Sequence, residues 1–185
     1  MSSRKDRGDT IVEAVIGFAV LAAVAVGAYS IMTRSSAAAQ RSLEVTQVRE
    51  QINAQAELLR YVRDNEKTMW DAIKGKAVAS NIASSTQGGS CLQIAPSGSF
   101  VLGRKNSRVD LVSLDGTNYV QPSTYSLVTY PDTGAGSTKA EGLWIQLTAA
   151  QGGGKAYDAH IGACWMGLGS DVPMTLTTIV RLYDT

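Results

Sequence analysis

The sequence predicts an α+β protein in which a long N-terminal membrane-spanning α-helix packs on an antiparallel β-sheet head. Three observations predict it. Residues 11–32 read IVEAVIGFAVLAAVAVGAYSIM, a predominantly apolar run whose only charged member is Glu13. Apolar residues then recur at steps of three or four as far as Ile73, and beyond residue 90 the pattern changes to short alternating runs. With 185 residues, 44% of them apolar, the chain has room for one domain plus an extra element. Seventeen Lys and Arg against sixteen Asp and Glu leave a net charge of +1, so no field of one sign points to nucleic acid or an acidic substrate.

The first element follows from the apolar run. Twenty-two residues at ~1.5 Å each make a helix of about 33 Å, enough to cross a bilayer core. The preceding segment MSSRKDRG carries Arg4, Lys5 and Arg7 against Asp6, which places the short N-terminal end in the cytoplasm and the rest outside. A cleaved secretory signal competes with this reading, since Ala-x-Ala-like triplets occur in the run. The helical pattern, however, does not stop at the membrane boundary. Val45, Val48, Ile52, Ala56, Leu59, Val62, Met69 and Ile73 continue it, with one gap at Glu66. The intervening positions hold Arg49, Glu50, Gln51, Asn53, Gln55, Glu57, Arg60 and Arg63, the mark of an amphipathic helix. No proline occurs before Pro96, so one helix over residues 10–64 is predicted, then a short helical turn through Trp70 and Ile73 that Gly75 ends. Gly17 and Gly27 are points where this helix can loosen or, as we read them, pack closely against a neighbour.

The head comes next. Residues 77–90, rich in Ala, Ser and Gly, read as a loop, and strands are predicted over residues 91–94, 99–102, 108–114, 125–130, 143–148, 156–165 and 174–183. Gly- and Ser-rich clusters at 132–137 and 151–154 read as turns. Strands without intervening helical patterns predict an antiparallel meander, its apolar face resting on the second half of the long helix. Trp144 and Trp165 fall in strand patterns and read as core.

Chemistry has little to build on. Asp158, His160 and Cys164 share one face of a predicted strand, an arrangement that resembles acid, base and nucleophile. His160 is the only histidine and reads as a packed or solvated residue, so no enzyme is predicted. No ligand spacing suits a metal, no phosphate loop is present, and no cofactor is expected. Arg104, Lys105 and Arg108 form a small basic loop, read either as a solvated turn or as a weak contact for DNA phosphates or other anions.

Glu13 decides between the readings of the apolar run. A carboxylate two residues into a membrane span costs about 2.5 kcal/mol or more at mid-bilayer, so it needs a partner. The residues around it, Gly8, Asp9, Thr10, Ile11, Val12 and Glu13, resemble the prepilin processing site of type IV pilins and related pseudopilins: a short basic leader ending in Gly, then Glu at the fifth mature position of an unbroken apolar run. The resemblance implies a leader over residues 1–8, a helix over 9–75 and a head over 76–185. It implies cleavage between Gly8 and Asp9 by a membrane prepilin peptidase and methylation of the new terminus at Asp9. It also implies polymerisation by an assembly ATPase and platform protein into a pilus, a homo-polymer or a co-polymer with other pilins, serving adhesion, motility or uptake. Before assembly the subunit would sit in the cytoplasmic membrane; afterwards it would be extracellular. In that family the acid attracts the terminal amine of a neighbouring subunit, and a buried carboxylate and ammonium do each need the other. Asp9 departs from the family pattern, which has Phe or Met there, and brings a competing carboxylate. A pseudopilin of a type II secretion-like system and an uncleaved, membrane-anchored binding protein are the alternatives. Export would allow Cys91 and Cys164 to form a disulfide, though pilin disulfides usually close a smaller loop; the other reading is two buried thiols.

Overall fold

A computed structural model describes the backbone of residues 6–78, 82–105, 108–130, 137–150 and 155–184, and their side chains from residue 11 onward. The chain falls into two compact units, residues 1–40 and residues 41–185. Helix α1 spans Asp6–Asn65. No proline interrupts its sixty residues, and the strong helix formers Ala, Leu, Glu, Gln and Arg recur through it. It ends at Glu66, whose φ of −126° and ψ of 69° are not helical. A second helix, α2 (Lys67–Lys74), follows and stops at Gly75, in agreement with the short turn read from Trp70 and Ile73.

In the second unit the stripe Val48, Ile52, Ala56, Leu59 and Val62 of α1 is buried and belongs to the core. The sheet against it contains β3 (Phe100–Lys105), β4 (Arg108–Ser113), β8 (Leu143–Ala149), β9 (Ala156–Met166) and β10 (Pro173–Tyr183), in the spatial order β10-β9-β8-β3-β4. All its pairings are antiparallel. Strands β8, β9 and β10 form the predicted meander, but β3 joins beside β8, so the sheet combines a meander with a hairpin. A hairpin of β1 (Thr86–Gln87) and β2 (Ser90–Cys91) turns through Gly88 and Gly89, both at positive φ. A third sheet sets β5 (Tyr119–Val120) parallel to β7 (Lys139–Glu141), with β6 (Leu127–Thr129) antiparallel to β7.

The strands depart from the expected pattern in several places. Of the strand expected over 91–94 only Cys91 is extended in a ladder, and Ile94 is exposed. Pro96, which has no N–H to donate, follows closely, and the Cys91 carbonyl accepts a side-chain hydrogen bond from Gln121. The strand expected over 125–130 shrinks to β6, the stretch expected as a loop over 77–90 holds β1 and the first residue of β2, and β5 and β7 are strands that the sequence does not predict. Turns expected at 132–137 and 151–154 lie almost wholly outside the described residues.

Both faces of β9 are buried from Ile161 to Trp165. Trp144 of β8 stands opposite Gly162, and a Cβ at Gly162 would sit 2.8 Å from the indole ring; glycine there makes room for the tryptophan. Gly142, at φ 65°, leaves no room for a Cβ against the Cys164 carbonyl, whose own N–H donates to Gly142 O.

Polar side chains fix the register of helix on sheet. Gln55, expected on the solvated side, is fully buried. Its Nε2 donates to Leu102 O and its Oε1 accepts from Leu102 N, both at 2.9 Å, so one glutamine engages both backbone groups of a strand residue that stands opposite Leu111 of β4. Gln51 Oε1 accepts from Val128 N at 3.3 Å. Glu44 accepts from Trp165 Nε1 at 3.1 Å and from Leu168 N at 3.4 Å, which ties the β9–β10 turn to the helix. At the other end, Asp184 accepts from Trp70 Nε1 at 2.9 Å and pairs with the Lys74 ammonium at 3.0 Å. These two donors, the indole first, hold the Asp184 carboxyl below the usual carboxylate range.

Replacing Gln55 by Ala strands a buried N–H and a buried C=O, and is expected to cost the head about 3 kcal/mol. Urea unfolding of the full chain in detergent, followed by tryptophan fluorescence, reads this directly, and a loss below about 1 kcal/mol would contradict the assigned role. The folded Asp184 carboxyl is held below its unfolded value, so its stabilisation is complete above the ordinary carboxylate range and disappears as pH falls through the lower folded value. Asp184→Asn is therefore expected to weaken the head at pH 7, with the difference from wild type closing below about pH 4. A difference that stayed constant down that range would show that the charge of Asp184, held by Trp70 and Lys74, is not its source.

Candidate functional site

The first unit presents the N-terminal part of α1. Every described side chain from Ile11 to Met32 is exposed, including Phe18 at 73% and Tyr29 at 71%. An 18-residue stretch here has a mean hydropathy of 2.4, and none of it is buried. The helix is long and apolar enough to cross a bilayer. Glu13 is the single acid among residues 11–32. A helix apolar on every side has no stable arrangement in water, so lipid or other helices must cover it.

Gly8 and Asp9 lie in the first turns of α1. Residues 1–5 fall outside the described residues. Gly17 and Gly27 leave open space where a Cβ would stand, so another helix can approach them closely.

Cys91 and Cys164 are bonded to each other across a sequence separation of 73, with Cα atoms 5.5 Å apart. The bond ties β2 to the buried strand β9. In the chain-entropy account, closing a loop of that length stabilises by about 4 kcal/mol. It also removes the nucleophile from the trio Asp158, His160 and Cys164. Asp158 accepts from Nε and Nη2 of Arg181, at 2.7 and 2.8 Å, and His160 Nε2 lies 3.5 Å from Thr148 Oγ1. Arg181, and after it burial and His160, set the Asp158 carboxyl, with a net shift below the usual range. No cluster of His, Cys, Asp or Glu able to hold a metal occurs among the described residues.

Arg104, Lys105 and Arg108, read from the sequence as a loop, come together at the end of the β3–β4 hairpin where the two strands connect, Arg104 and Lys105 within β3 and Lys105 facing Arg108 across the ladder. All three are exposed, and none forms an ion pair among the described residues. A groove of about 560 Å³ runs beside them, lined by Ala54, Glu57, Leu58, Tyr61, Arg104 and Tyr130. Sequence reading found the basic residues but not the groove, because Ala54, Leu58 and Tyr61 flank the buried stripe of α1 and look like ordinary surface positions. Likewise, nothing local marks Glu44 and Gln55 as the helix residues that reach the strands.

Comparison with known protein families, with curated proteins and with solved structures finds no match to this chain.

Proposed function

We propose that this chain is the structural subunit of a type IV pilus, processed by a prepilin peptidase and polymerised through its N-terminal helix. The observation that carries the reading is the combination of a fully exposed apolar helix with a single acid, Glu13, five residues after Gly8 and behind a short basic segment. Lipid can cover the apolar surface, but it offers no partner to the carboxylate. A positive terminus created at Asp9 on a neighbouring copy does, and the shared site offsets the desolvation of both charges.

The head suits such a role. It is built on the second half of the same helix and closed by a disulfide, a bond that persists in an oxidising compartment outside the cytoplasm. Its function then follows from polymerisation: adhesion, motility or uptake by the filament, rather than chemistry in a site of its own. Assembly requires an ATPase and a platform protein in the cytoplasmic membrane, where the subunit waits with its N-terminus inside.

The test is the intact mass and N-terminal sequence of the protein from its own cells, taken separately from membranes and from material sheared off the cell surface. We expect a chain beginning at Asp9 in the sheared fraction, heavier by one methyl group. A chain retaining residues 1–8 and confined to membranes would replace this reading with that of an uncleaved anchor.

A further inference from the structure

Two patches of the head complement each other, and they lie on opposite edges of its five-stranded sheet. One is the β9–β10 turn, where Leu168 is 64% exposed and Asp171 and Val172 are also exposed. Glu44 holds this turn at its own level on α1 through Leu168 N. Asp171 has no ion-pair partner among the described residues. The other patch is the groove beside the β3–β4 hairpin. Its walls include Leu58 and Tyr61, the latter 49% exposed, and Arg104 stands at its rim. Glu57, which also lines it, is engaged by Arg60, so the guanidinium of Arg104 is left without an acid among the described residues.

The first patch offers an apolar side chain and an exposed carboxylate. The second offers an apolar recess and exposed cations. We propose that the β9–β10 turn of one copy of this chain docks in the Arg104 groove of a second copy, Leu168 entering beside Leu58 and Tyr61 and Asp171 pairing with Arg104. This rests on the filament reading and specifies how successive heads meet.

The geometry selects that occupant. Groove against groove would bring Arg104, Lys105 and Arg108 of two copies together, a like-charge contact. Turn against turn would leave the acids facing each other. Only the unlike pairing satisfies both patches, and it is heterologous: each copy that uses its turn keeps its groove free, so the contact propagates instead of closing a dimer. The turn lies at the level of residue 44 of α1 and the groove at the level of residues 54–61. Docking therefore displaces one copy along the helix axis by roughly 20 Å, taking ~1.5 Å for each residue.

The full chain contains no free cysteine, so introduced thiols report cleanly. Both positions are exposed, and replacing them leaves the core untouched. Asp171→Cys and Arg104→Cys, combined in one chain and oxidised on cells, are expected to give a ladder of dimers, trimers and longer species, while each replacement alone gives no ladder. Charge reversal supplies a second readout. D171R and R104D should each lower the sheared material at least roughly threefold, and the double reversal should recover it. A ladder confined to membranes would support the docking and remove the filament. Sheared filaments without a ladder, or discrete dimers from a single-cysteine chain, would overturn the docking and leave the filament standing. Neither ladder nor sheared material would overturn both.

Discussion

A helix apolar on every side cannot be left in water, and this chain has one. Along residues 11–32 no polar face exists for solvent to wet, so covering that surface is the first condition any state of the protein must meet. A bilayer meets it at the level of area but not at Glu13, whose carboxylate gains nothing from acyl chains and loses its hydration. Packing among copies of the same helix meets both conditions, provided a positive group arrives at the level of the acid. Removal of a leader at Gly8 would create such a group. The proposed filament is thus the state in which the apolar surface and the one charge are satisfied together.

The second half of α1 works by a different rule. From Val48 to Val62 it is apolar on one stripe, and the sheet supplies the cover. Apolar contact alone fixes distance but tolerates sliding, whereas hydrogen bonds do not. Glu44, Gln51 and Gln55 each reach a strand or turn, and Gln55 satisfies both backbone groups of Leu102. Strands β3 and β8 share only the pair Phe100 and Ile145, so beyond Phe100 the edge of β3 facing away from β4 lacks a strand partner, and at Leu102 the helix provides one. The disulfide and the Trp70–Lys74–Asp184 cluster then secure the outer segments. Trp70 also meets Tyr157 edge-on, with ring centroids 5.8 Å apart.

Much of this was legible because it is local. Period and the absence of proline located α1 to within four residues at its start and one at its end, and the long strands β8, β9 and β10 announce themselves by alternation and β-branched residues. The illegible parts depend on distant partners. Strands β5 and β7 are two and three residues long, and their parallel pairing joins segments about twenty residues apart, so neither carries a pattern of its own. Leu92 to Ile94 looked like a strand because alternation carries no information about the next residues, yet Pro96 and the bond from Cys91 take that segment out of any ladder. Gln55 was misplaced for a related reason: a glutamine beside Arg and Glu reads as surface, and only the unpaired backbone of Leu102 explains its burial. Glu13 is the opposite case. Its meaning lies in the cost of its surroundings, which the sequence displays in full.

In the proposed filament, Glu13 holds copies together rather than serving the fold of one copy. The most direct measurement is the amount of chain in sheared and membrane fractions for wild type and for Glu13→Ala, each checked for processing at Gly8. Processed Glu13→Ala protein that accumulates in the membrane while the sheared fraction falls at least roughly tenfold is the result the account predicts, since removing one partner of a buried charge pair is worth several kcal/mol. Equal amounts of sheared material from both chains would contradict it.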